Sequence, residues 1–370
     1  MQTHAQRSWG KWGLRVLAIL TSVSFLLLSQ PETSKVFAAP SITNEVKKVA
    51  VGSRAYTVQI LNIPKGTPVT VGLAKGQVGQ TQDLKSIVKK YNAQAAINGA
   101  FFEAYHGVPD PYGNLIINNN IAHIGRYGTT VGFKKDGTVL MDSLWVGLTG
   151  KVTPTGGSSQ GWYATFINRT PAEGSNVSII YNSYRGDRVG FKGGTAITIR
   201  NGIVMNSVPN HNVLIPKDGY VLVCMGTEQS MAKRFVNGAA VELNVTYADD
   251  HGKALPWEDV VTAVGAGPRL VKDGSVALNP AAEGFKDQKI LTSSAARSGI
   301  AIKADGSVMI ATVSGATMKE WAAIMQKMGV KQAMNLDGGA SSGMFGSGRT
   351  LTNPGRLLSN TLVFGSNVNP

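Results

Sequence analysis

Residues 317–342, TMKEWAAIMQKMGVKQAMNLDGGASS, decide the fold. Thr317 and Glu320 form a Thr-x-x-Glu capping box, in which each side chain satisfies a backbone N–H at the other's position. Met318, Trp321, Met325 and Met328 then recur at helical spacing, a stripe that suits core packing, and Gly329 stops the helix. The apolar run from Val330 to Leu336 predicts a strand that ends in Asp337-Gly338-Gly339. A carboxylate therefore stands at the carboxyl end of a strand, where open sheets commonly bind ligands.

An earlier segment has the same layout. Asp83 is placed to cap a helix with Leu84, Ile87, Val88 and Tyr91 on one face, and the strand-like run from Ala93 to Ile97 leads into Asn98-Gly99-Ala100-Phe101-Phe102. Both loops would line one cleft if their strands are neighbours in a sheet. Lys135-Asp136-Gly137, Asn201-Gly202, Asp218-Gly219, Asp273-Gly274 and Asp305-Gly306 each lie beside runs rich in Val, Ile and Leu, which predicts hairpins. Residues 150–250 read as further strands, with Thr149 to Gly161 as a mobile loop near the cleft. No sequence repeat points to a solenoid or propeller. The expected fold class is α+β, a single mixed domain with strand-rich hairpins and a few helices packed on a sheet.

Arg7, Lys11 and Arg15 precede an apolar run of 13 residues from Val16 to Leu28. That length suits an export signal and falls short of the roughly 20 residues that span a bilayer. Residues 1–39 are thus expected to be a signal peptide and 40–370 the functional domain, secreted or cell-wall associated, with no stable membrane insertion after cleavage. Loss of Arg7, Lys11, Arg15, Lys35 and Glu32 with the signal takes the net charge from +14 to +11. This balance favours an anionic glycan or sugar-phosphate partner. The basic residues are dispersed and form no nucleic-acid recognition motif, so no nucleic acid is expected as a partner. Cys224 is the only cysteine; its apolar run makes it a small buried hydrophobe. His106, His123, His211 and His251 are far apart and form no metal motif. The sequence requires no cofactor, and a metal site is left unassigned, with room for an oxygen-ligated ion such as Ca²⁺.

Gly339-Ala340-Ser341-Ser342-Gly343 matches the G-x-S-x-G pattern of a nucleophile elbow, but its context does not. The elbow needs a helix after the serine and a histidine downstream, whereas glycine-rich Met344 to Gly348 follows and the last histidine is His251. Asp337 differs from the hairpin aspartates in being followed by Gly338, Gly339, Ser341 and Ser342, a composition that lets backbone and hydroxyl donors approach a phosphate or sugar beside a carboxylate. Arg269, after Gly265-Ala266-Gly267-Pro268, and Arg297, before Ser298-Gly299, are candidates to grip a phosphate bidentately.

Asn98 to Phe102, Gly265 to Pro268, Arg297 to Ala301, the block Asn335 to Ser342, and Arg356 with Asn360 together resemble the phosphodiester glycosidase domain family over roughly residues 90–366. Ala100 and Ala340 stand where the family often has Gly, and Ser298 where Thr is frequent. The resemblance implies hydrolysis of the bond between a sugar's anomeric carbon and a phosphodiester oxygen, in an N-acetylglucosamine-1-phosphodiester-like unit of wall polymer or exopolysaccharide. On that expectation Asp337 acts as nucleophile or base, Arg297 neutralises the departing phosphate with help from Arg269, Gly338 and Gly339, and Glu103 is the partner carboxylate with Asp110 behind it. Asn98, Gly99, Asn335, Ser341 and Ser342 complete the expected substrate contacts. Two other readings use the same residues: a cell-wall or polysaccharide binding module without catalysis, and a phosphodiesterase cutting on the phosphorus side.

Overall fold

Turn chemistry sets where the chain reverses. Asn201 and Gly202 take φ of 47° and 73°, and Asp273 and Gly274 take 49° and 78°, the left-handed pair that a two-residue hairpin needs. At Asp136 and Asp305 only the following glycine has positive φ, and each carboxylate accepts from the N–H two residues on, at 2.8 Å from Thr138 and 2.9 Å from Ser307. Asp218-Gly219 does not form the expected hairpin. Gly219 opens the strand Gly219–Cys224, where a Cβ would lie 2.0 Å from the Ile199 carbonyl oxygen, and Asp218 pairs with Arg200 at 2.8 Å.

The structure, a computed structural model, describes residues 41–125 and 128–368, all within the unit Pro40–Pro370. The export-signal segment 1–39 lies outside the described residues. Among the described residues the strands form four sheets. A seven-stranded sheet runs, in spatial order, Thr43–Val51, Arg54–Ile63, Val308–Ala316, Ala295–Ile302, Gln332–Asn335, Arg269–Lys272 and Ser275–Val276. One five-stranded sheet runs Arg349–Thr352, Met344–Gly346, Ala95–Asn98, Asn360–Phe364 and Val69–Leu73; the other runs Asn120–His123, Leu115–Ile117, Val260–Gly265, Thr130–Lys134 and Val139–Asp142. An eight-stranded sheet takes most of residues 145–248. Thr149 to Gly161, expected as a mobile loop, holds the end of the strand Trp145–Thr153, the start of its partner Gln160–Ala164 and the turn between them at the edge of that sheet.

Three of the sheets share one core, to which Leu61, Ile300 and Met334, then Ile97 and Leu362, then Leu115 and Val131 contribute. The helix Met318–Lys327 packs Trp321, Ile324 and Met325 against Ala301, Ala311 and Val313 of the seven-stranded sheet. Its capping box is formed, with Thr317 N donating to Glu320 Oε2 at 2.7 Å and Glu320 N to Thr317 Oγ1 at 3.3 Å. Ser86 N donates to Asp83 Oδ1 at 2.9 Å and starts the helix Leu84–Lys90, which lays Ile87 on Ala96 and Val363. The eight-stranded sheet joins through Leu148, Ile197 and Cys224 to Ile116 and Ala263. The α+β expectation therefore holds coarsely: sheet dominates, in four sheets rather than one, and two short helices cover outer faces.

Asp110, the reserve partner carboxylate, is structural. Its Oδ1 accepts from Arg185 Nη1 at 2.7 Å and its Oδ2 from Thr170 N at 2.5 Å, both side chains nearly buried. Arg185 also donates to Thr170 Oγ1 at 2.7 Å and to the Asn168 carbonyl at 3.2 Å. Removing one partner of a buried pair strands the other charge, so Arg185→Met is expected to cost about 3–5 kcal/mol in urea unfolding. A loss below about 1 kcal/mol, the range of an exposed pair, would show that the pair does not hold this junction.

Candidate active site

The two strands leading to the site belong to different sheets, not to neighbouring positions in one. Their ends still meet. Asp337 N donates to the Gly99 carbonyl at 3.0 Å, and Asn98 Nδ2 donates to the Asp337 carbonyl at 2.6 Å. Asn98 Oδ1 accepts from Gly343 N at 3.0 Å, so a single buried amide holds both ends of the loop 337–343. Gly99 has no room for a side chain, because a Cβ would lie 2.2 Å from Asn360 Oδ1. That same oxygen accepts from Ala100 N at 2.7 Å. Asn98 thus orients the loop and not the sugar, and Asn335 is likewise buried, with Nδ2 donating to the carbonyls of Gly267 and Leu336 at 3.0 and 2.6 Å.

After Asp337 the chain makes one turn of 3-10 helix, Gly339–Ser341, and then the strand Met344–Gly346, the opposite of what a nucleophile elbow requires. Gly338 N is turned back onto Asp337 Oδ1 at 2.8 Å, so it is not directed at a leaving group as expected. Ser341 is 2% exposed and favours the charged form of Asp337, whereas the Ser342 hydroxyl is buried away from the cleft. Crowding by protein dominates: desolvation raises the Asp337 carboxyl to about 7, against the opposing pull of Ser341, the Gly338 N–H and the charge of Arg356.

The arginines divide into two kinds. In the antiparallel pairing Gly299 faces Asn335, and the Leu336 N–H donates to the Ser298 carbonyl at 2.9 Å. Arg297 Nη1 lies 3.9 Å from where a Gly338 Cβ would sit, and its Nε donates to the Ala316 carbonyl at 2.9 Å and its Nη2 to the Ser293 carbonyl at 2.5 Å. Arg269 sends Nη2 to the Met141 carbonyl, while its backbone N–H donates to Glu283 Oε1 at 2.6 Å. Burial lowers both guanidinium groups from their ordinary value. Arg297 is therefore beside the loop but engaged by the main chain, and Arg269 is not placed with Asp337.

A cleft of about 500 Å³ opens at Ala340, walled by Phe102, Glu103, Tyr105, Arg356 and Leu357. Glu103 forms part of this wall, but its oxygens accept from the Tyr105 and His106 N–H groups, each at 3.0 Å, and from Tyr112 Oη at 2.8 Å. Those donors, the Tyr105 N–H first, hold it below the usual carboxylate range, so it stays ionised and fastens its own loop instead of serving as an acid. Arg356 entered the family resemblance beside Asn360 but was assigned no role from sequence; folding brings it to the cleft. Glu283, without a sequence signal, accepts from Thr129 Oγ1 at 2.7 Å and secures the turn at Gly267 and Pro268. Among the described residues no three His, Cys, Asp or Glu side chains converge as metal ligands, and no helix is long and apolar enough to cross a membrane.

Fold and site define a sheet-rich protein with a desolvated carboxylate on a loop that also lines an arginine-bearing cleft. Residues 193–365 match the phosphodiester glycosidase family, which bears out the resemblance over that part of the chain; Asn98 to Phe102 fall outside the match. No curated protein matches in sequence. A hypothetical protein from Synechocystis has a similar fold, with TM-score 0.73 and 22% identity over 88% of this chain, which spans 64% of that protein's length. A Burkholderia pseudomallei protein, described as a candidate exported protein, is similar with TM-score 0.68 and 20% identity, covering 84% of this chain and 74% of its own. The zebrafish N-acetylglucosamine-1-phosphodiester alpha-N-acetylglucosaminidase catalytic domain aligns at 13% identity over 89% of this chain and 84% of its own, with TM-score 0.48, too low to argue from.

The raised Asp337 carboxyl has a consequence for stability. Its value is 3.8 in an ordinary setting and about 7 here, so between those limits the folded chain holds a proton that the unfolded chain releases. The stability from this group is complete below the lower value and is lost as pH rises through the upper one. Asp337→Asn is therefore expected to melt above wild type at about pH 8 and to gain much less at about pH 5, by thermal unfolding at both.

Proposed function

We propose that the protein hydrolyses the anomeric carbon–oxygen bond of sugar-1-phosphodiesters, with Asp337 as the reacting carboxylate. The observation that carries this reading is the desolvated Asp337 carboxyl, raised to about 7 and within reach of the charge of Arg356, on the loop whose Ala340 lines a cleft together with that arginine. A group titrating near neutrality exchanges protons most effectively there. A phosphate monoester is a good leaving group, so the chemistry needs less from a general acid than ordinary glycoside hydrolysis does. Acting as base, Asp337 takes the proton of a water whose oxygen bonds to the anomeric carbon, while the bond pair leaves on the phosphate oxygen. Acting as nucleophile, it bonds to that carbon first and water releases it. N-acetylglucosamine-1-phosphodiester units of wall polymer or exopolysaccharide are the proposed substrates, met by an exported protein. The family match over 193–365, the basic net charge and the apolar run after Arg15 support that setting.

Incubation with an N-acetylglucosamine-1-phosphodiester, followed by mass spectrometry, should yield free sugar and a phosphomonoester. Asp337→Asn is expected to lower turnover by about 10²–10⁴-fold. Because the ionised form reacts, kcat/KM should rise with pH through about 7. Sugar phosphate binding without turnover by wild type would point instead to a binding module, and a product cut on the phosphorus side to a phosphodiesterase.

A further inference from the structure

The strands that lead to Asn98 and Asp337 leave a second cavity at their other ends. Asn98 pairs with Thr361 and Ala95 with Phe364, so Phe364 marks the end of the strand Ala95–Asn98 away from Asp337. Ile302 pairs with both Gln332 and Val308, which places Val308 beside the start of the strand that leads to Asp337. Phe364 and Val308 line a cavity of about 300 Å³ together with Ile63, Val69, Phe133 and Val261, drawn from three sheets. It shares no lining residue with the cleft at Ala340. Its lining carries charge of one sign: Lys65, Lys134 and Lys135 take part, and among the described residues no carboxylate does. The turns at 64–67, 135–137 and 303–306 meet at its mouth, where a Gly137 Cβ would lie 3.0 Å from Gly66 Cα and a Gly306 Cβ 3.3 Å from Lys65 Cδ. Lys134 is paired with Asp259 at 3.2 Å, whereas among the described residues Lys65 and Lys135, both exposed, have no carboxylate within ion-pair distance. Asp136 and Asp305, in the same turns, each accept from an N–H two residues on and so close those turns. Ile63, Phe133, Val308 and Phe364 are buried, so an apolar ligand reaches them by entering the cavity and not by the protein inserting into a bilayer.

We propose that this cavity binds a single-chain amphipathic anion, an acyl carboxylate of about ten carbons, with its tail among the apolar side chains and its head between Lys65 and Lys135. The length follows from the space. At about 30 Å³ for each water-sized group, about 300 Å³ holds about ten, and a methylene is of that size. The charge follows from the rim. Lysines that lay their stems on apolar surface and keep their heads in water suit such a ligand, since the stem covers the tail while the ammonium meets the carboxylate. A neutral tail of the same length would gain the apolar contacts alone. The site lies apart from Asp337 and does not depend on the glycosidase reading, and its test uses no substrate of that reaction.

Titration calorimetry of the purified protein with hexanoate, octanoate, decanoate and myristate tests the proposal. Affinity should rise by about fourfold per methylene as far as decanoate and level off for myristate. Binding of decanoate should carry a negative heat capacity change, the mark of apolar burial. Decanol should bind at least about tenfold more weakly than decanoate, because it lacks the charge that the lysines meet. The double variant Lys65→Glu/Lys135→Glu should lose about tenfold or more in affinity for decanoate. Lys85→Glu, the same change of charge on the helix Leu84–Lys90, should bind decanoate as wild type does. Thermal unfolding without ligand shows whether each variant is folded, and the comparison of decanoate with decanol decides the matter on wild type alone. No binding of decanoate by wild type, equal affinity for decanol, or undiminished binding by the folded double variant would overturn the proposal. So would sedimentation with phosphatidylglycerol vesicles in the absence of decanoate binding, which would mark this end of the molecule as a surface for anionic bilayers instead.

Discussion

The backbone of Asp337 is gripped from another sheet, and the site depends on that grip. Its N–H donates to the Gly99 carbonyl, and its carbonyl accepts from the Asn98 amide. Neither bond forms unless the strands Ala95–Asn98 and Gln332–Asn335 end at the same height. Their register is set by the core between them, where Ile97, Met334 and Leu336 are buried together. Gly99 and Asn360 then fit so closely that the strand end has no slack. A carboxylate held through its main chain keeps its position while its side chain is left for chemistry.

Electrostatics follow from the same packing. Burial alone would drive Asp337 higher; the Gly338 N–H, Ser341 and Arg356 restrain it near neutrality. Glu103, a few residues past Asn98, ends with the opposite character, because two backbone N–H groups and a tyrosine hydroxyl meet its oxygens. Two carboxylates on adjoining loops thus diverge through hydrogen bonding and solvent access, not residue type. The arginines diverge likewise: those on strands in the core brace main-chain carbonyls, and Arg356, in the loop before the last strand, lines the cleft.

Likeness to other proteins has an uneven reach. Solved structures at 22% and 20% identity share the fold, so the arrangement of sheets tolerates wide change in sequence. The family match begins at residue 193 and takes in Arg297, Asp337 and Arg356, but not Asn98 and Gly99, which position Asp337. The site is assembled from both parts of the chain, and its geometry depends on residues outside the matched segment.

Local signals were legible in the sequence. The capping box at Thr317, the cap at Asp83, the Asn-Gly and Asp-Gly turns and the apolar stripe of the helix Met318–Lys327 all act within a few residues. Asp337 also stood out, by the glycines and serines after it. Asp218-Gly219 misled, because a glycine that yields room to a neighbouring strand looks the same in sequence as one that turns the chain. Asn98 and Arg269 carried the right chemistry for ligand contact, yet partners 239, 245 and 128 residues away in the chain claim them for the fold, while Glu103 is claimed by Tyr105, His106 and Tyr112 of its own loop. What the sequence determined by itself was the set of elements and the carboxylate, since periodicity, capping and turn preference are short-range. Which polar groups face the cleft was decided only by tertiary structure, because burial and hydrogen-bond competition depend on which strands come to lie side by side.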